Sequence, residues 1–175
     1  MKISTKIFMA FTIVLVLSAV DSVSNYLLSQ KVEKNISFLG KAIRVTSDQG
    51  PQVTIIDGNF SGAVVTFNSA EGLQSELKGF TVRNGKAAQS PQLRGGGIRI
   101  ENSSPTITGN IIINNSAADG GGGVSSSFGS PIIQGNTIAN NSQTPGFSGG
   151  IGGGGVCIVG ASSATLINNL ISGNS

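Results

Sequence analysis

The chain has 175 residues, 26 of them glycine, with 11% charged and 5% aromatic residues and neither tryptophan nor histidine. That length suits one domain, and an apolar share of 38% is enough to close a core, which separates the chain from disordered glycine-rich sequences. The absence of histidine excludes a Ser-His-Asp triad and any His-based metal site, while a net charge of +3 gives no case for a nucleic-acid partner.

Lys2 and Lys6 form a basic start, Ile7 to Val20 is an uncharged apolar run, and small residues follow. This predicts a secretory signal over residues 1–22, with cleavage after Ser22 or Ser24. The run is short for a spanning helix. If it is retained, residues 7–20 anchor the chain to a membrane. Either way the expected location is extracellular or in the cell envelope. Removing Lys2, Lys6 and Asp21 from 11 basic and 8 acidic residues leaves 9 and 7, a net +2.

Residues 23–34 read as a short amphipathic helix, a cap or linker ahead of the repeats that start at residue 35. Repeat arrays need such caps because their ends expose apolar core and unpaired edges.

Residues 35–175 repeat. Gly97-Ile98 leads through Pro105-Thr106-Ile107 and Gly109-Asn110-Ile111-Ile112 to Asn114-Asn115-Ser116. Gly123-Val124 leads in the same way through Pro131-Ile132-Ile133 and Gly135-Asn136-Thr137-Ile138 to Asn140-Asn141-Ser142. A third copy runs from Gly155-Val156 through Thr165-Leu166 and Asn168-Asn169-Leu170-Ile171 to Gly173-Asn174-Ser175. Repeats of this length mark a solenoid. Aligned backwards, they give three apolar columns: Ile43, Val65, Ile98, Val124, Val156; Ile55, Leu77, Ile107, Ile133, Leu166; and Phe60, Val82, Ile112, Ile138, Ile171.

Glycine runs, Asn-Asn pairs and a period-2 alternation exclude helices here. Three β segments per coil, each stacked on its copy about 4.8 Å away, make a parallel β-helix of about five coils. Asn110, Asn136 and Asn169 fall in one column, and Asn115, Asn141 and Asn174 in another. Stacked amides of this kind form structural Asn ladders. The chain reaches Ser175 at the end of a coil motif, so the expectation is an incomplete solenoid whose open C-terminal edge invites self-association.

These motifs resemble the right-handed parallel β-helix repeat family of the pectate-lyase-like superfamily, over residues 35–175. Asn35-Ile36-Ser37-Phe38-Leu39-Gly40 with Ile55-Ile56-Asp57-Gly58 resembles its opening coils. The Gly-Gly-Gly-Ile/Val starts resemble polymorphic outer-membrane protein repeats, with Ile112, Ile138 and Ile171 standing where those carry Phe. The resemblance implies the right-handed all-β fold and leaves function open.

No complete catalytic set is present, and no metal or cofactor is implied. After Glu101 the only charged residue is Asp119. Asp57, before Gly58, and Asp119, before four glycines, read as turn residues. Column parity places Arg44, Thr66, Arg99, Ser125 and Cys157 on one outward strip, with Arg83 on a neighbouring segment. Arg44, Arg83 and Arg99 are the candidate ligand-binding residues, for a polysaccharide or cell-surface glycan. Gly150-Ile151-Gly152-Gly153-Gly154-Gly155 matches a dinucleotide-binding pattern but lacks its strand-turn-helix setting. The expected function is a secreted or surface-bound structural and binding module without catalysis. The alternative is a polysaccharide lyase whose basic residue and Ca²⁺ site would draw on Arg99, Arg83 and Asp57 or on coils outside the chain.

Overall fold

A computed structural model describes residues 30–33, 35–88, 94–144 and 152–175. The signal assigned to residues 1–22 and the first part of the cap, residues 23–29, lie outside them. The chain runs through β1 (Gln30–Glu33), β2 (Ile36–Ser37), β3 (Arg44–Thr46) and β4 (Thr54–Asp57). The next turn holds β5 (Val65–Phe67), β6 (Glu76–Lys78), β7 (Thr81–Arg83) and β8 (Lys86–Ala87). It repeats as β9 (Ile98–Glu101), β10 (Thr106–Thr108), β11 (Ile111–Ile113) and β12 (Ser116–Ala117). The last strands are β13 (Val124–Ser127), β14 (Ile132–Gln134), β15 (Thr137–Ala139), β16 (Ser142–Gln143), β17 (Val156–Val159), β18 (Thr165–Ile167) and β19 (Leu170–Ser172).

Each strand pairs in parallel with its copy one turn away, giving an all-β solenoid of about four turns. Sheet I is β2-β5-β9-β13-β17, sheet II β3-β6-β10-β14-β18, sheet III β1-β4-β7-β11-β15-β19, and sheet IV β8-β12-β16. Sheet IV is a fourth segment beyond the three expected. Its strands are two residues long and read Lys-Ala, Ser-Ala and Ser-Gln, too short to show an apolar alternation.

The core columns hold from the second turn onward and shift in the first. Val65, Ile98, Val124 and Val156 stack in register, but on Ile36 rather than Ile43. Leu77, Ile107, Ile133 and Leu166 stack on Val45 rather than Ile55. Val82, Ile112, Ile138 and Ile171 stack on Ile56 rather than Phe60. In the opening turn apolar residues occupy both parities, so spacing alone selects wrong ones. Ile56 is buried while Ile55 is half-buried, and Ile43 packs only on the margin of the core. Phe60 is exposed on a left-handed corner, φ 57°. Phe38 and Phe67 close the first turns with ring centroids 4.1 Å apart.

Residues 30–33 also depart from the expected helix. They form β1, in register with Thr54–Asp57. An open sheet edge offers a full row of backbone partners, and a short helix is marginal by itself.

The Asn ladders are continuous. The backbone N–H and side-chain amide of Asn110 both donate to Asn136 Oδ1, at 2.9 and 3.1 Å, and those of Asn136 donate likewise to Asn169 Oδ1. Asn115, Asn141 and Asn174 repeat the pattern. Each amide also donates back one turn, as Asn136 Nδ2 does to Ile107 O at 2.9 Å. The ladder residues leave the left-handed corner to their predecessors. Gly109, Gly135 and Asn168 precede one ladder, and Asn114, Asn140 and Gly173 the other, all with φ between 51° and 63°. Glycine and asparagine tolerate that backbone with little cost.

Candidate functional site

The three candidate arginines lie on three different sheets. The outer column of sheet I is Ser37, Thr66, Arg99, Ser125 and Cys157, and Arg44 is not in it. Because the first turn is offset, Arg44 sits on sheet II, in register with Glu76, Thr106, Ile132 and Thr165. Arg83 belongs to sheet III.

Each arginine faces a carboxylate. Arg44 Nε donates to Glu76 Oε2 at 2.6 Å, with the arginine side chain 64% exposed and the glutamate 9%. Arg83 Nε reaches Asp57 Oδ2 at 3.1 Å. Arg99 pairs with Glu101, two residues along the same strand and on the same face.

Asp57, Glu71 and Asp119 are equally engaged. Asp57 does cap a turn, accepting from Asn59 N–H at 3.0 Å, but it also accepts from Arg83 and from Asn84 Nδ2 one turn on. Burial pushes its carboxyl up. The hydrogen bonds from Asn59, Asn84 and Arg83, with the guanidinium charge, outweigh that and hold it below its ordinary value. Glu71 is buried and accepts from Gly40 N–H at 2.9 Å, Ser69 N–H at 2.8 Å and Ser103 Oγ at 2.8 Å, so it ties three successive turns. Burial again raises its carboxyl, and these donors bring it below the usual range. Asp119 pairs with Arg94 at 2.9 Å.

Cys157 has the outward parity expected of it but is buried. The segment Gly120–Gly121 and the Arg94–Asp119 pair lie over the outer face of sheet I. A Cβ on Gly120 would stand 2.8 Å from Ser125 Oγ, and one on Gly121 2.8 Å from Cys157 N. Burial raises the thiol; Arg94 lowers it and Asp119 adds to the rise. Glycine at these positions lets the covering segment approach the strand closely. Among the described residues no group of three or more His, Cys, Asp or Glu could hold a metal ion.

A groove of about 430 Å³ on the outer face of sheet II is lined by Ala42, Arg44, Leu73, Gln74, Glu76 and Thr106. Its walls are fixed across turns. Glu76 N–H donates to Ile43 O at 3.0 Å, Ser75 Oγ to Lys41 O at 3.0 Å, and Thr106 Oγ1 to Leu73 O at 2.9 Å. Of the arginines singled out from sequence, Arg44 alone lines it. Leu73, Gln74, Glu76 and Thr106 carry no motif, and only the register of β3 on β6 could have pointed to them.

A family model described as a right handed beta helix region matches residues 23–174. No curated protein and no solved structure matches the chain.

Proposed function

The chain belongs to the right-handed β-helix family, and from that premise we propose that it is a non-catalytic structural and binding module, secreted or held at the cell surface, that contacts a polysaccharide or surface glycan. The observation that carries the reading is the engagement of Asp57, Glu71 and the three candidate arginines. Asp57 and Glu71 are buried, hydrogen-bonded on several sides and held in the charged form, which suits neither a general acid nor a proton-abstracting base near neutral pH. Arg44, Arg83 and Arg99 each face a carboxylate and stand on separate sheets.

Support for the binding role comes from the outer face of sheet II. Parallel strands present ranks of side chains about 4.8 Å apart on a rigid support. The groove volume falls within the range of roughly 300–1,000 Å³ common to small-molecule sites. Export rests on the signal pattern of residues 1–22, with residues 7–20 as an anchor if that segment is kept.

Incubation of the purified protein with pectate, alginate and chondroitin, with and without Ca²⁺, tests the non-catalytic reading. The substrates are expected to remain intact. Ca²⁺-dependent unsaturated products would replace the reading with that of a lyase.

A further inference from the structure

We infer that the corner joining sheet I to sheet II is a membrane-contact ridge, which presses Leu39 and Phe128 into the interface of an anionic bilayer. The partner is a lipid surface rather than the glycan of the reading above, and the two stand or fall separately.

The backbone marks the ridge. After each strand of sheet I one residue takes a left-handed conformation: Leu39, Ala70, Asn102, Phe128 and Gly160, with φ of 53°, 60°, 50°, 54° and 67°. Asparagine and glycine suit that backbone, whereas leucine and phenylalanine are strained in it. Burial would offset the strain, yet Leu39 is 67% exposed and Phe128 56%. The Phe128 ring lies against Gly160 one turn on, where an added Cβ would stand 2.9 Å from its Cε1, and the rest of it faces solvent. The corner is also fixed. Glu71 gathers Gly40 N–H, Ser69 N–H and the Ser103 hydroxyl from three turns, and Asn102 N–H donates to Ser127 O at 2.9 Å. Two large apolar side chains are thus held outward on rigid corners at a cost to the fold, which points to a contact made outside it.

The ridge has length. Leu39 and Phe128 are three turns apart, about 14 Å at the parallel-strand spacing. In the second turn Ala70 is exposed at the same corner, and Leu73, 52% exposed, stands beside it.

Charge selects the partner. Lys41, Arg44 and Lys78 are exposed on the sheet II side of the ridge. Glu76, which pairs with Arg44, is recessed, its side chain 9% exposed against 64% for the arginine, and Glu71 is 2% exposed. Neither Lys41 nor Lys78 has an ion-pair partner among the described residues. The exposed carboxylate near them is Asp48, past the opposite end of β3 from the ridge. Apolar tips flanked by outward cations match an anionic headgroup layer, where the tips reach the acyl boundary and each cation near the surface strengthens partitioning about fivefold.

The chain has no tryptophan, so Phe128→Trp and Leu39→Trp each place a single fluorophore on the ridge. Ala88→Trp, exposed just past sheet IV and away from this corner, is the control. Each full-length variant, with an unchanged Tm as the folding check, is mixed with vesicles of phosphatidylcholine alone and of phosphatidylcholine with phosphatidylglycerol. The expected result is a blue shift of both ridge fluorophores, and quenching by brominated lipid, with the phosphatidylglycerol vesicles only, reversed by salt. The control stays at its solvent wavelength. Adding Lys41→Gln and Lys78→Gln to Phe128→Trp is expected to raise the vesicle concentration at half-maximal shift about thirtyfold. A ridge fluorophore unmoved by either vesicle would overturn the inference. So would an equal shift in the control, which would assign the contact to residues 7–20, an equal shift with phosphatidylcholine alone, or indifference to the two lysine substitutions. None of these outcomes bears on whether the protein binds a glycan.

Discussion

Asn136→Ala tests how the turns are held together. Asn136 is 1% exposed. Its Oδ1 accepts from Asn110 N–H and Nδ2, and its own Nδ2 donates to Ile107 O and to Asn169 Oδ1. Truncation leaves two buried donors, Asn110 N–H and one hydrogen of Asn110 Nδ2, without their acceptor. At about 1–3 kcal/mol for each unsatisfied group, the loss is about 2–6 kcal/mol. Asn114→Ala supplies the comparison. Asn114 is exposed at a left-handed corner with φ 55°, so its replacement costs only the backbone preference, about 1–2 kcal/mol. Urea unfolding of both variants, followed by far-UV circular dichroism, reads the difference as a shift in midpoint at constant slope. A cost at Asn136 no greater than at Asn114 would refute the reasoning, because the ladder amides would then be replaceable by water.

Other outcomes rest on the same structure. Ile133→Asp places an unpaired charge in a fully buried core position and is expected to abolish cooperative unfolding or lower the midpoint severely; near-native stability would show the inward register to be wrong. The folded-state carboxyl of Glu71 lies below its unfolded value, so its contribution to stability is present above the ordinary glutamate range and is lost as pH falls through the folded value. Glu71→Gln should therefore be less stable at neutral pH and show a flatter acid dependence, measured by thermal melts across the acid range. Cys157, buried beneath the glycine-rich segment, should label with a thiol reagent far more slowly in the native protein than in urea.

The repeated turns were legible because they occur in near copies. Ile107, Ile133 and Leu166 align through Pro105, Pro131 and the Asn that comes after each, so parity is fixed three times over. The two ladders declared themselves by spacing alone. The opening turn has no such redundancy. Ile55 and Ile56 are adjacent and both apolar, and only pairing with Thr81 and Val82 decides which faces inward. The stacking of Val65 on Ile36 rather than Ile43 moved Arg44 from one sheet to another and hid its pairing with Glu76. The burial of Cys157 was illegible for a different reason. Gly120 and Gly121 carry no hydropathic signal, yet their lack of a side chain is what lets them lie against the strand. The fourth sheet is built from Ser116-Ala117 and its two-residue counterparts, which hold backbone pairing without any apolar pattern.

The most direct measurement is an amide NMR titration of the ¹⁵N-labelled protein with neutral and acidic oligosaccharides in turn. The expected result is a set of shifts concentrated on Leu73, Gln74, Glu76 and Thr106 and on their neighbours across sheet II. Shifts centred on the outer face of sheet I or sheet III would contradict a sheet II glycan site, as would a spectrum unmoved by every neutral and acidic glycan offered.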